Sequence, residues 1–594
     1  MTPGSAPTPV LGVERSIAGR AWRARLDDER CAQAIAEQAD VPEIVARVLA
    51  ARGVGPETCA RYLNPSLKAD LPDPSSFRDM DRAAARLVQA IERGERIAIF
   101  GDYDVDGATS AALLIRFLKA VGASPMLYVP DRIKEGYGPN APALLGLKAA
   151  GAGVVITVDC GIVAFEALAA AAAASLDVIV IDHHLAAPEL PKAAAIINPN
   201  RLDESGAHKQ LAAIGVAFLL VVALNRALRA AGRFADRPEP NPIEWLDLVA
   251  LGTVCDVVPL TGLNRAFVAQ GLRVMARRGN FGIAALADSA KLEEPPGTYH
   301  VGFVLGPRVN AGGRVGKSDL GARLLATEDA VEARAIAVEL ERLNAERRAI
   351  EAQVTEEAEA VAAGQDAANP LVFVAGKGWH PGVIGIVASR LKERFGKPAF
   401  VIGFEGALGK GSGRSVPGVD LGGADAAARA AGLLVNGGGH PMAAGLTVET
   451  DKVAALGEFL KARIARSVGT ASPSGALAID GALAIRAVTP ELFDLLEAAG
   501  PFGAGNSAPR FVLPAVRVVR ADPVGANHVR CILTGGDGGR LKAIAFRVGD
   551  GPLGDALTQQ LGRPLHLVGH LRANFWQGVR SIEFEIEDAA YAAP

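Results

Sequence analysis

Asp102, Asp104 and Asp106 stand at alternate positions in GDYDVDG, directly after the apolar run RIAIF. Three like charges so close together need a cation, and hard oxygen ligands in this number suit magnesium or manganese. Asp and Gly are also common in ordinary turns, so the loop gains its meaning from its company. VVITV runs into Asp159, Cys160 and Gly161, and VIVI runs into Asp182, His183 and His184. Asp256 follows the helical pattern around 246–251; alone it would be a helix cap. An imidazole among carboxylates favours manganese over magnesium or calcium. Successive side chains of an extended segment point to opposite faces, so the two histidines divide: His183 as ligand, His184 as a charge stabiliser or proton donor to a leaving group, with the order left open by alternation alone. With Asp104, Asp106, Asp159 and Asp256 they read as a two-metal centre.

The elements that must hold these residues are short apolar runs ending in acids, alternating with helical stretches at 108–120 and 162–174. That alternation is the pattern of a parallel α/β sheet, whose ligands sit at the carboxyl ends of the strands. Further helices are expected at 211–231 and 242–251, followed by a turn-rich region over 291–317. A long Ala/Glu/Arg-rich helix from Glu328 to about Ala363 reads equally as a rigid spacer or as the solvated face of a bundle. The α/β pattern restarts over 371–465, interrupted by glycine-rich stretches, and mostly short strands follow from about 510. The expected organisation is an N-terminal helical preface (1–80), a parallel-sheet domain (81–290), a motif loop with a connecting helix (291–365), a smaller α/β domain (366–470) and a C-terminal all-β barrel or sandwich (475–594).

The 594 residues carry 62 Lys plus Arg against 65 Asp plus Glu, a net charge of −3, and are 50% hydrophobic. Global disorder is excluded, and any phosphate or nucleic-acid site must be a local basic patch. Five scattered cysteines without C-x-x-C spacing argue against a disulfide framework or a structural zinc site and for a reducing, cytoplasmic compartment. The N-terminus lacks the pattern of a secretion signal, and the longest uncharged apolar stretch, 211–225, is short for a membrane span.

GDYDVDG, VDCG, DHH and GTVCD, in that order over 101–256, resemble the motifs of the DHH phosphoesterase superfamily. GPRVNAGGR (306–314), GWHPGVIGIVASR (378–390), GKGSGRS (409–415), GGGHPMAAG (437–445) and PFGAGNSAPRF (501–511) narrow the resemblance to its RecJ-like single-stranded-DNA exonucleases, over about residues 80–590. The resemblance implies a DHH domain, a DHH-associated domain and an oligonucleotide-binding fold. Together they would hydrolyse single-stranded DNA from its 5′ end to mononucleotides, in recombination and repair, with two Mn2+ or Mg2+ ions. It implies Asp102, Asp104, Asp106, Asp159, His183 and Asp256 as metal ligands and His184 beside the scissile phosphate. A RecQ-type helicase and a single-strand-binding protein would supply substrate to a monomeric enzyme. Ala213 and Ile214 stand where such sequences usually read cysteine-glycine-alanine, and Gly312 replaces a common alanine; both departures bear on packing beside the site.

A phosphodiester needs donors for its oxygens, which the planar guanidinium supplies two at a time. Arg132, Arg308 and Arg314 are candidates, with Arg308 and Arg314 also expected near the reacting phosphate. In the smaller domain Ser412, Arg414, Gly438, Gly439 and His440 form a candidate anion nest, which the resemblance assigns to the 5′-terminal phosphate and leading nucleotide. Tyr137 and Trp576 are candidates for base stacking. Cys160 and Cys255, beside proposed ligands, read first as small buried residues; they would be oxidation-sensitive if their thiols approached the metals. Enzymes of the same superfamily that cut pyrophosphate or dinucleotides would not need the C-terminal β module, and a non-catalytic member would lack part of this acidic set, which is complete here.

Overall fold

The computed structural model describes residues 9–132, 134–468, 475–525, 527–576 and 579–592, and the chain divides into two compact units. The larger comprises Leu71–Val258 and Gln270–Ser472. Its first sheet is wholly parallel, in the order Met126–Tyr128, Arg96–Gly101, Ala152–Val158, Asp177–Ile181, Ala195–Ile197. Strands buried on both faces read as unbroken apolar runs, as Ile97 to Phe100 and Val154 to Val158 do. From Arg96–Gly101 the chain steps outward to Met126–Tyr128, then crosses back to Ala152–Val158 on the other side. This reversal is the switch point at which open sheets form a ligand crevice, and Asp102 and Asp159 follow its two strands.

Helix Ala213–Ala230 passes the length and composition test for a membrane span, yet 72% of its apolar window is buried within the protein. It is a core helix, packed on Met80–Arg93 and Val105–Ala120.

The expected turn-rich region contains a helix, Gly306–Val315, entered through a π-turn at His300–Leu305. Glycine normally disfavours helix interiors; here close packing overrides it. A Cβ on Gly306 would lie 2.4 Å from the Cys255 sulfur, and one on Gly313 2.8 Å from the Tyr103 carbonyl oxygen. The connecting helix spans Ala330–Ala363, capped by Asp329. It is amphipathic rather than a free spacer: Ile336, Leu340, Leu343, Val354 and Ala358 form a buried stripe along it, while its other side is exposed. The stripe packs on Phe281–Ser289 and Gly306–Val315 near its start and on Ile384–Phe395 near its end.

The second sheet runs Asn436–His440, Ala443–Glu449, Leu408–Arg414, Ala399–Glu405, Val372–Lys377, with only the last pair parallel.

The smaller unit joins Met1–Asp70, Pro259–Ala269 and Pro473–Pro594. Strands Phe511–Val524, His528–Thr534, Arg540–Ala545, Val579–Tyr591 and Pro564–Trp576 follow one another around a sheet that the pairing of the first with the last closes into a barrel. The N-terminal helices are therefore no separate preface. Ile35, Val45, Leu49 and Cys59 share one core with Phe511, Leu513, Leu565 and Phe584 of the barrel, and the buried Trp22 indole donates to Asp588 at 3.1 Å.

Leu49 is fully buried in that shared core. Leu49→Ala is expected to destabilise this unit by about 2–5 kcal/mol. Urea unfolding followed by exchange of the barrel amides checks it, and an unaltered barrel would show that the helices are mere passengers.

Candidate metal centre and adjoining cavity

Each acidic residue is delivered by a strand end or a helix end. Asp102 follows Arg96–Gly101, and Asp104 caps Val105–Ala120 by accepting from the Gly107 N–H at 3.1 Å. A Cβ on Gly107 would come within 2.6 Å of the Asp102 backbone nitrogen, so glycine lets the helix start fold back over the strand end. Asp106 is held by the start of Ala213–Ala230: its Oδ2 accepts from Ala213 N–H at 2.7 Å and its Oδ1 from Ile214 N–H at 2.8 Å. These are backbone donors that any residue but proline provides, so Ala213 and Ile214 make the contact despite departing from the family pattern. Asp159 sits at φ 61°, a left-handed conformation unusual for a residue other than glycine. Asp256 is the C-cap of Leu246–Cys255.

These ends converge. His183 Nε2 lies 3.3 Å from Asp159 Oδ1, 3.6 Å from Asp256 Oδ2 and 3.9 Å from Asp106 Oδ2. Within 4.8 Å of one another lie the ligand atoms of Asp102, Asp104 and Asp159, and likewise those of Asp106, His183 and Asp256. Oδ1 of Asp102, Oδ1 of Asp159, Oδ2 of Asp256 and Nε2 of His183 are buried with no hydrogen-bond partner among the described residues. Burial and then Asp104 push Asp106 up to about 7; burial and then Asp106 push Asp256 up to about 9. Asp102 and Asp159 rise well above the usual carboxylate range for the same reasons. Burial and then His184 hold His183 down to about 4, leaving the neutral imidazole that ligates metals. Orphaned oxygens, mutual repulsion and a neutral imidazole fit two divalent cations.

A third group within the same limit joins Asp159, His183 and His184, but His184 is engaged elsewhere. Its Nδ1 meets Asp182 Oδ1 at 2.7 Å, and Asp182 accepts further from the N–H groups of Ile162, His183 and His184. Burial would lower the His184 pKa, but Asp182 outweighs it and raises the value. Asp182 was visible in the sequence only as a member of its triplet; its work, holding the ring of His184, depends on a fold-back that spacing does not reveal.

Beside the centre lies a cavity of about 890 Å³ lined by Arg132, Tyr137, Arg314, Ser412 and Arg414, among others. Tyr137 joins the two: its hydroxyl donates to the Asp159 carbonyl at 2.9 Å and lies 3.3 Å from His184 Nδ1. Arg132 stands over the Tyr103 ring at 4.9 Å. Arg314 donates to the Gly382 carbonyl at 2.9 Å, and burial, then Arg132, lower its pKa to about 10.

The chain belongs to the RecJ family. The model of the DHH family N-terminal domain matches residues 96–253, the DHHA1 domain model 368–466 and the RecJ OB domain model 479–588. Proteins named single-stranded-DNA-specific exonuclease RecJ are 38% identical in Salmonella typhimurium, over 93% of this chain and 96% of that one. In Bacillus subtilis identity is 34%, over 96% and 70%. The crystal structure of RecJ in complex with Mn2+ from Thermus thermophilus superposes with a TM-score of 0.79 at 30% identity, covering 95% of this chain and 78% of that one. A further structure, exonuclease RecJ bound to manganese, gives 0.58 at 34% identity over 68% and 98%.

Several RecJ-like expectations are corrected by the geometry. Arg308 is not at the cavity: it pairs with Glu341 and donates to the Val304 carbonyl at 2.7 Å. Six helical residues set Arg308 and Arg314 about 120° apart around the helix, so the two leave it on different faces. Gly439 points away from the cavity and packs against Gly422, whose added Cβ would meet the Gly439 oxygen at 2.6 Å. His440 lies on the register row of Arg414, but the cavity wall takes Asn436, Gly437 and Gly438 from its strand instead. The thiols of Cys160 and Cys255 donate to the carbonyls of Val158 and Val301, and burial raises the pKa of each, which suits structural rather than reactive cysteines. The side chain of Trp576 lies outside the described residues.

Groups that bind protons more tightly when folded lose stabilising effect as pH rises. With metal chelated, stability is therefore expected to fall between pH 3.8 and about 9, the interval over which Asp256 is shifted. Asp256→Asn should flatten that loss in EDTA and shrink the rise in melting temperature on adding Mn2+, both read by thermal denaturation. Asp182→Asn should cost roughly 10–100-fold in turnover with little change in that Mn2+-induced rise.

Proposed function

We propose that this chain hydrolyses single-stranded DNA from the 5′ end, releasing 5′-mononucleotides in DNA recombination and repair. The observation that carries the reading is the pair of ligand clusters meeting at Asp159, with a cationic cavity one tyrosine away. Asp102, Asp104 and Asp159 would hold one cation and Asp106, His183 and Asp256 the other, with Asp159 near enough to His183 to serve both. Bound there, Mn2+ or Mg2+ would supply Lewis-acid activation of water and neutralise charge developing at the phosphorus.

The protein's own groups do the rest. Asp182 orients His184 and raises its affinity for a proton, and once protonated its free nitrogen can donate towards the oxygen that leaves. Tyr137 fixes the backbone that carries Asp159. Arg132, Arg314, Ser412 and Arg414 offer donors for the phosphate of the leading nucleotide. An open cavity roofed by the DHHA1 sheet suits a chain end, and the barrel of the smaller unit would bind single strand further along. A cytoplasmic monomer fed by a RecQ-type helicase and a single-strand-binding protein completes the proposal, on the strength of the motif resemblance.

An oligonucleotide labelled at either end, digested with Mn2+, tests it. Mononucleotides should appear from the 5′ label, duplex should be spared, and Asp106→Ala should fall by more than about 100-fold. Release from the 3′ label, or cleavage of dinucleotides alone, would replace this reading.

A further inference from the structure

The DHHA1 sheet meets the cavity through three strands in register. Asn436, Thr447 and Lys410 lie side by side; the next row holds Gly438, Gly445 and Ser412; the third holds His440, Ala443 and Arg414. Residues two apart on a strand share a face, so the rows belong to one surface, and all of the first two line the cavity. Adjacent rows stand about 7 Å apart.

The middle row carries the decisive detail. A Cβ placed on Gly438 or Gly445 would meet nothing within 4 Å, and neither residue has a positive φ. Their neighbours differ: a Cβ on Gly437 would run into Leu434 at 2.7 Å, one on Gly439 into the Ala443 oxygen at 2.3 Å, and one on Gly411 into Leu446 at 2.7 Å. Gly437, Gly439 and Gly411 are required by packing, whereas Gly438 and Gly445 leave a bare patch of backbone facing open space. No packing among the described residues calls for glycine at these two positions. A flat group laid directly on the sheet would.

We propose that Gly438 and Gly445 form a window on which the base of the leading nucleotide lies, with the Asn436 and Thr447 side chains reading its edge. This deepens the function proposed above and rests on it. Ser412 and Arg414 flank the window on the phosphate side, Asn436 and Thr447 on the other, an arrangement that fits one nucleotide stretched from phosphate to base. The edge-reading row is rich in donors. The Asn436 Oδ1 accepts from the Gly437 N–H at 2.9 Å, which holds that oxygen against its own strand and favours presenting the NH2 to a ligand, and the Thr447 hydroxyl can donate beside it. Paired acceptors complement such a row. Guanine presents O6 and N7, whereas adenine sets an amino group where O6 would be. The window therefore favours a terminal dG over dA.

Four 5′-phosphorylated single strands differing only in the terminal base provide the test, together with titration of dGMP and dAMP into the full chain in EDTA. Terminal dG is expected to leave with a kcat/KM about five- to tenfold above dA, the scale of one mismatched hydrogen bond, with dGMP binding tighter in the same sense. Asn436→Ala should bring both ratios towards one. Gly445→Ala, which meets no protein atom, should raise KM for every strand more than it lowers kcat. Equal kcat/KM for all four bases, with 5′ release intact and lost in Asp106→Ala, would overturn the base window and leave the exonuclease reading standing. Absence of 5′ release from any strand would overturn both.

Discussion

Mutual repulsion among buried carboxylates governs the larger unit. Asp102, Asp106 and Asp159 are almost wholly enclosed, and removing an isolated charge from water is costly unless a partner compensates. The protein itself compensates only partly: two N–H groups at a helix start serve Asp106 and one caps with Asp104, while other oxygens stay orphaned. The surrounding elements are arranged to hold this frustrated cluster in place. Asp159 adopts a left-handed conformation, Gly107 allows a helix to close over Asp102, and Asp256 arrives from a separate helix across the crevice. A site of this kind stores part of the cost of assembling it in the fold, to be relieved when cations enter.

The same economy explains the shell around it. Asp182 is as buried as the metal-facing acids, yet its oxygens are filled by three N–H groups and one imidazole, so its pKa falls despite burial. Two carboxylates one strand apart thus play opposite parts because one is satisfied and the other is not. Satisfied, Asp182 fixes His184 and raises its affinity for a proton; unsatisfied, Asp159 awaits metal. Tyr137 ties both to the cavity mouth.

Glycine is used in three physically different ways. In Gly306–Val315 it lets a helix approach Tyr103 and Cys255 closely. In Gly411, Gly437 and Gly439 it admits neighbouring side chains or backbone. In Gly438 and Gly445 it leaves the surface bare. The composition of GPRVNAGGR suggests a loop because glycine is entropically poor in helices, but close helix packing can repay that cost, and here it does.

The order of acids after apolar runs, read with the period of the helices between them, determined the parallel sheet, its ligand-bearing edge and the chemical class of the centre. Strand ends are local, and like charges require a counterion whatever surrounds them. The same local logic revealed the connecting helix and the C-terminal barrel strands. Tertiary structure alone decided the rest. It turned Arg308 to Glu341 and Arg314 to the cavity, because rotation about a helix separates residues that the sequence places together. It set Gly439 against Gly422 and Gly438 towards the cavity, because strand register fixes which face a residue takes. It merged the N-terminal helices with the barrel, because a shared core joins segments more than 450 residues apart, a separation over which no local pattern carries information.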